Sequence, residues 1–259
     1  MRKINQLFMP DLFAIGLFII ILIIGIFFLI FGLISFKEKR LIENIPTSNI
    51  RSIAMGLVEI FGKVVPITDN ILKSPFSEKD CVYYKYRVEE LRSSGKNTHW
   101  VTIDKGERHS LFNLEDETGS VLVDPKGAKI DIPIDNKYNS SLGKDPPEAA
   151  KRFLATRNIR WEGFIFGINK TMRYSEYFIA PGDKLYIMGT AGDNPYVKEA
   201  SAEKGVEDIM IKKGKFEKFY YISDRQEEAV LFKFTAKTYG GIIIGSFLII
   251  LSLLVFNWF

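Results

Sequence analysis

A chain of 259 residues with 35 Lys and Arg against 31 Asp and Glu carries a net charge of only +4, which argues against a polyanion binder driven by bulk charge. The single cysteine, Cys81, excludes an intramolecular disulfide and a thiolate cluster for zinc or iron. With His99 and His109 as the only histidines, imidazole chemistry has two candidate positions and any metal site would have to lean on carboxylates.

After a short tail at 1–11 comes Leu12 to Phe36, 25 residues without a charge, of which 20 are Leu, Ile or Phe. As a helix this run exceeds the thickness of a bilayer core. Insertion contributions of roughly −0.3 to −0.6 kcal/mol per large apolar residue sum to about −6 to −12 kcal/mol. Arg2 and Lys3 resemble the start of a signal peptide, but the run is too long and Ser35-Phe36-Lys37 lacks the small residues of a cleavage site. The expectation is an uncleaved signal anchor. A charged linker at 37–49 follows, in which the helix continues briefly before Pro46 stops it.

The stretch 50–222 reads as one β-rich domain with a single helix. Ser52 to Val65 suggests a strand pair or a bulged strand, and Asp80 to Leu91 is the clearest strand, with Val82, Tyr84, Tyr86 and Val88 on one face. Trp100 to Ile103 is a short strand, and Asp104 to His109, rich in charge, reads as a solvated loop. Ser110 to Val123 reads as a hairpin around Glu115 to Gly119, followed by the turn Asp124-Pro125-Lys126-Gly127. Asp145 to Arg157 is the helix, with Asp145 as N-cap. Tyr174 to Ala180 and Lys184 to Gly189 read as a hairpin across Pro181-Gly182-Asp183, Asp193 to Lys215 as a loop region, and Phe219 to Ile222 as a last strand.

Ser223 and Gln226 have capping-box spacing, so a connecting helix is expected over 223–239, running into a second charge-free span at 240–259 and rigidly coupling domain and anchor. Trp258 stands where an interfacial aromatic belongs. Gly241 and Gly245 form a GxxxG pair suited to close helix approach, either to the first span or to the same span of a neighbour. Lys37, Lys39, Arg40, Arg51, Arg225, Lys233 and Lys237 flank the spans on the domain side, against Arg2 and Lys3 outside, which places the domain in the cytoplasm. The fold class expected is therefore α+β, a β-rich soluble domain flanked by two transmembrane helices in a two-pass integral membrane protein.

The order Met55-Gly56-Leu57-Val58-Glu59, Leu72-Lys73-Ser74-Pro75, Cys81-Val82-Tyr83-Tyr84, Trp100, Phe112-Asn113-Leu114, Asp116 to Val121, Glu176, Gly182 to Tyr186 and Gly189 resembles the GIDE domain, also called the beside-a-membrane (BAM) domain. This domain is best known from organelle outer-membrane E3 ubiquitin or SUMO ligases of the MULAN/MAPL type. The resemblance spans most of 45–235 and both flanking spans. It implies a domain fit for protein-protein or membrane-proximal contacts, facing the intermembrane space in the ligases. In those proteins a RING finger after the second span recruits the conjugating enzyme through eight Cys and His zinc ligands. One cysteine and two histidines cannot supply that set, so a module without the RING is expected.

Three functional readings stand side by side. The first is a non-catalytic membrane module that binds an unknown protein partner or the bilayer surface, with no cofactor and no metal. A second is an enzyme in which Glu89, Glu90, Asp104 or Glu107 works with His99 or His109, against the blander reading of these groups as solvated edge residues. The third uses Tyr83, Tyr84, Lys85, Tyr86 and Arg87 as a stacking platform for single-stranded nucleic acid on an OB-like sheet, against an alternating strand with a tyrosine-lined core; nucleic acid is not expected as a partner. Cys81 is read as a small buried residue rather than a nucleophile. No catalytic, cofactor-binding or metal residue is assigned, and a ligase role of the family would need a RING supplied by another chain.

Overall fold

A computed structural model describes residues 12–67, 71–163, 169–197 and 208–258, with side chains from Ile15 to Phe256. The tail with Arg2 and Lys3, the side chain of Trp258, and positions 198–207 of the expected loop region lie outside the described residues. In chain order the elements are α1 (Leu12–Asn44), a 3-10 turn (Ile50–Ser52), β1 (Gly56–Pro66), β2 (Leu72–Lys73), β3 (Asp80–Cys81), β4 (Tyr83–Ser94), β5 (Asn97–His109), β6 (Phe112–Glu115) and β7 (Ser120–Val123). These are followed by β8 (Lys129–Asp131), β9 (Asn136–Ser140), α2 (Glu148–Thr156), β10 (Met172–Ile179), β11 (Lys184–Asp193), β12 (Ile209–Lys212), β13 (Tyr221–Ser223) and α3 (Glu227–Trp258). They divide into a helical unit, Met1–Ile45 with Glu227–Phe259, and a β-rich unit, Pro46–Gln226.

In the helical unit α1 and α3 are long and apolar enough to cross a membrane, and only 11% and 17% of their most apolar windows are buried. Ile23, Phe27 and Ile30 on α1, with Ile243, Phe247 and Leu254 on α3, project outward. Water would not tolerate so large an apolar surface, so lipid is the fitting solvent. The two helices run antiparallel and meet where side chains vanish. A Cβ on Gly241 would fall 2.7 Å from Gly32 Cα, and one on Gly245 would fall 2.5 Å from the Leu29 nitrogen. The GxxxG face is thus covered by α1 of the same chain and is not free for the self-association that its spacing suggested. The linker helix runs on to Asn44, supported by the Lys39–Glu43 pair at 2.9 Å. The later helix begins at Glu227 rather than at Ser223. Ser223 is held in β13, where its hydroxyl donates to Asp131 O at 3.0 Å and accepts from Arg225 N, which leaves it unable to cap.

The β-rich unit has two layers. In the first, β1 pairs with both β6 and β11, β6 with β7, β7 in parallel with β12, and β12 with β11, so five strands close a ring. This is a small Greek-key barrel of the OB type; β13 and β8 extend it beyond β11. Its core is mainly aliphatic: Ile60, Val64, Leu114, Val121, Leu185, Ile187 and Ile211 are buried together with Tyr83, Phe112 and Tyr220. β1 is one long strand, not a pair. At Gly62 it approaches β6 closely, and a Cβ there would come within 2.5 Å of Glu115 O.

The second layer is an open sheet in the order β5-β4-β10-β9. Its core is aromatic, with Phe76, Tyr86, Tyr174 and the half-buried Phe153 of α2 in edge-to-face contact at centroid distances of 4.8–6.0 Å. α2 starts after Pro147 rather than at Asp145, whose carboxylate is drawn to Lys151 Nζ at 2.8 Å and Asn169 at 2.8 Å. It ends in a Schellman turn: Asn158 adopts φ +55°, and Ile159 N–H reaches back to Leu154 O.

Three further strand readings change. β10 and β11 are not a hairpin, because β10 pairs with β4 and β9 while β11 belongs to the barrel; Pro181-Gly182-Asp183 carries the chain between layers. The expected loop after Asp193 holds β12, whose Ile209, Met210 and Ile211 are all buried, so no alternation marks it. The charged run Asp104 to His109 is the second half of β5, a 13-residue strand that lies at the edge of its sheet.

Candidate interaction surface

The sequence offered His99, His109 and four neighbouring carboxylates as possible chemistry. Both histidines lie on β5, ten residues apart, about 33 Å at the rise of a strand. Both are exposed, and among the described residues no hydrogen bond or ion pair joins either imidazole to a carboxylate. The carboxylates are engaged elsewhere. Glu89 pairs with Arg173 at 3.7 Å, and Arg173 in turn lies 3.9 Å over the Trp100 ring. Glu90 meets Arg92 at 2.9 Å and Lys170 at 3.5 Å; burial would raise its pKa, but these two cations outweigh that and hold it below the usual range. Asp104 accepts from Tyr86 OH at 3.1 Å, and Glu107 from Tyr83 OH at 2.9 Å.

Cys81 is buried beside Leu72 O, and burial pushes its thiol up to about 12. A thiol that stays protonated at neutral pH is a poor nucleophile. The rings of Tyr83, Tyr84 and Tyr86 are also inside, so β4 presents no stacking platform. The OB-type barrel is present, but it is built from other strands.

Residues that carry the family resemblance turn out to hold the fold. Glu59, fully buried on β1, accepts from Thr47 Oγ1 at 2.7 Å and Tyr186 OH at 2.6 Å. Glu176, fully buried on β10, accepts from the amides of Phe76 and Ser77 at 2.9 and 3.2 Å and from Asn136 Nδ2 at 2.9 Å. A buried carboxylate costs several kcal/mol unless its lone pairs are filled; here they are filled by groups up to 127 residues away. Asp116 binds the amides of Ile50, Thr118 and Gly119 and the Thr118 hydroxyl. Burial would raise its pKa, and these donors together outweigh burial and lower it. Glu59 was legible as a charge inside an apolar strand, whereas nothing in the sequence points to Asn136 as a partner.

Two surface features remain. One is a cavity of about 280 Å³ lined by Asp135, Asp183, Asp224 and Lys184. Burial raises Asp135 and Asp224, and the neighbouring Asp183 carboxylate adds to both. No group of three His, Cys, Asp or Glu among the described residues is arranged to hold a metal ion. The other is the outer edge of β5. There Lys105, Glu107, Arg108 and His109 are exposed, and no strand among the described residues pairs with it.

A β-rich module of this kind, joined to two apolar helices and lined with structural rather than reactive carboxylates, belongs to the class of membrane-anchored domains. The family model for GIDE, described as E3 ubiquitin ligase, matches residues 82–256. The chain belongs to the GIDE family. Comparison with curated proteins and with solved structures returns no match.

Proposed function

We propose that this chain is a non-catalytic GIDE module, a two-pass anchor that presents a protein-interaction domain beside a bilayer on its cytoplasmic face. The observation that carries the reading is the engagement of all four candidate carboxylates, Glu89, Glu90, Asp104 and Glu107, by Arg, Lys, Tyr or a backbone amide, while the two histidines stand apart on one strand. Orientation is supported by the seven Lys and Arg that flank the spans on the domain side.

The full chain, purified in detergent and supplied with activating enzyme, ubiquitin and a panel of conjugating enzymes, is expected to give no transfer. Robust chain formation would overturn the proposal. A second reading is favoured by the family's description as a ubiquitin ligase: the module acts in ligation together with a RING on another chain. Transfer that arises only when a co-purifying RING protein is added back would select it. Side-specific thiol labelling of Lys96→Cys in sealed vesicles tests the orientation, with labelling from the lumenal side as the contrary result.

A further inference from the structure

The edge strand β5 carries Asp104-Lys105-Gly106-Glu107-Arg108, a run whose charges are minus, plus, none, minus, plus. Read backwards it is plus, minus, none, plus, minus. An antiparallel copy centred on Gly106 therefore sets Asp104 against Arg108 and Lys105 against Glu107, each pair twice. We propose that two copies of this chain associate through β5, edge to edge about a two-fold axis at Gly106, joining their four-stranded sheets into one continuous sheet.

Several observations support the register. β5 pairs only with β4 among the described residues, so its outer edge offers unpaired backbone groups. The amide of Lys105 is taken by the neighbouring Asp104 Oδ1 at 2.9 Å, a local stand-in for a strand partner. With Lys105 and Glu107 directed outward, the Lys105–Glu107 pairs become the hydrogen-bonded ones and Gly106 meets Gly106 in the closer, non-bonded position, where the place of a side chain is taken by the Tyr86 ring of the same chain, 2.8 Å from an ideal Cβ. Lys105 and Arg108 make no ion pair within their own chain among the described residues. Charges on an edge normally repel other strands; this order of signs repels a parallel copy in register and attracts an antiparallel one. Confinement to a bilayer raises the local concentration at which so short a pairing operates. The inference is independent of whether the module is catalytic.

Sedimentation equilibrium of the full chain in detergent micelles tests it. Wild type is expected to show a monomer–dimer equilibrium that weakens as salt is raised. Lys105→Glu and Arg108→Asp, each at a residue without an intrachain ion pair, are expected to weaken it by about tenfold or more, since each turns two attractions into two repulsions. The double variant Lys105→Glu with Glu107→Lys is expected to recover association. An equal mixture of the Lys105→Glu and Glu107→Lys single variants is expected to form only mixed dimers. Circular dichroism verifies that each variant is folded. A wild type that stays monomeric throughout, single reversals without effect, or a correctly folded double variant that fails to recover would each overturn the proposal.

Discussion

The two layers of the domain solve the same problem in opposite ways. The barrel closes on itself, fills its interior mainly with Ile, Val and Leu, and leaves no free edge among its five strands. The four-stranded sheet stays open, fills its interior largely with Tyr and Phe, has the hydroxyls of Tyr86 and Tyr174 on Asp104 and Ser140, and ends in a charged edge. Closure removes the surface on which strand addition works, and openness keeps it. The barrel thus keeps no free edge among its five strands, while the sheet keeps the outer edge of β5.

Breaking the barrel core should have the largest effect. Ile187→Ala, at a fully buried position on β11, is expected to cost about 2–5 kcal/mol in chemical unfolding of the full chain in detergent. Glu176→Ala leaves two amides and Asn136 without an acceptor and should cost about 3 kcal/mol, with the 74–79 loop losing hydrogen-exchange protection first. Asp116→Asn should cost about 1 kcal/mol at neutral pH. Because the folded pKa of Asp116 is lowered, its contribution is present above the ordinary carboxylate range and is lost as pH falls through the folded value; the gap between wild type and variant should therefore close on acidification. Tyr86→Phe keeps the ring contacts and loses only the bond to Asp104, about 0.5–1 kcal/mol. At the small end, Lys73→Ala removes the exposed pair with Asp80 and should leave the midpoint of thermal unfolding unchanged.

The same contrast explains what the sequence could tell. The two spans and β4 were legible because charge-free length and period-two alternation are local signals. The hairpin of β6 and β7 was legible from its turn residues. Barrel closure was not, since β1 finds β11 only through partners such as Ile60 and Ile187, far apart in the chain, and β12 is buried on both faces. The second half of β5 was misread for the opposite reason: a strand at an edge tolerates charge at every position, so Asp104 to His109 looked like loop. The unpaired outer edge of β5 follows from that strand and could not be read until its pairing was known. The buried glutamates show the limit from the other side, because Glu176 was recognisable as a family residue while its clamp on the Phe76 and Ser77 amides required the fold.

If two copies of this chain join through the edge of β5, that edge and not the barrel should lie within crosslinking reach of a second copy. A photo-crosslinking side chain placed at Lys105 on the edge of β5, and separately at Ser120 and Lys63 on the barrel, tests it in native membranes. A discrete adduct at twice the chain mass is expected from position 105, and none from 63 or 120. Adducts confined to the barrel positions, none at position 105, or only adducts of another mass there would contradict the pairing of two copies.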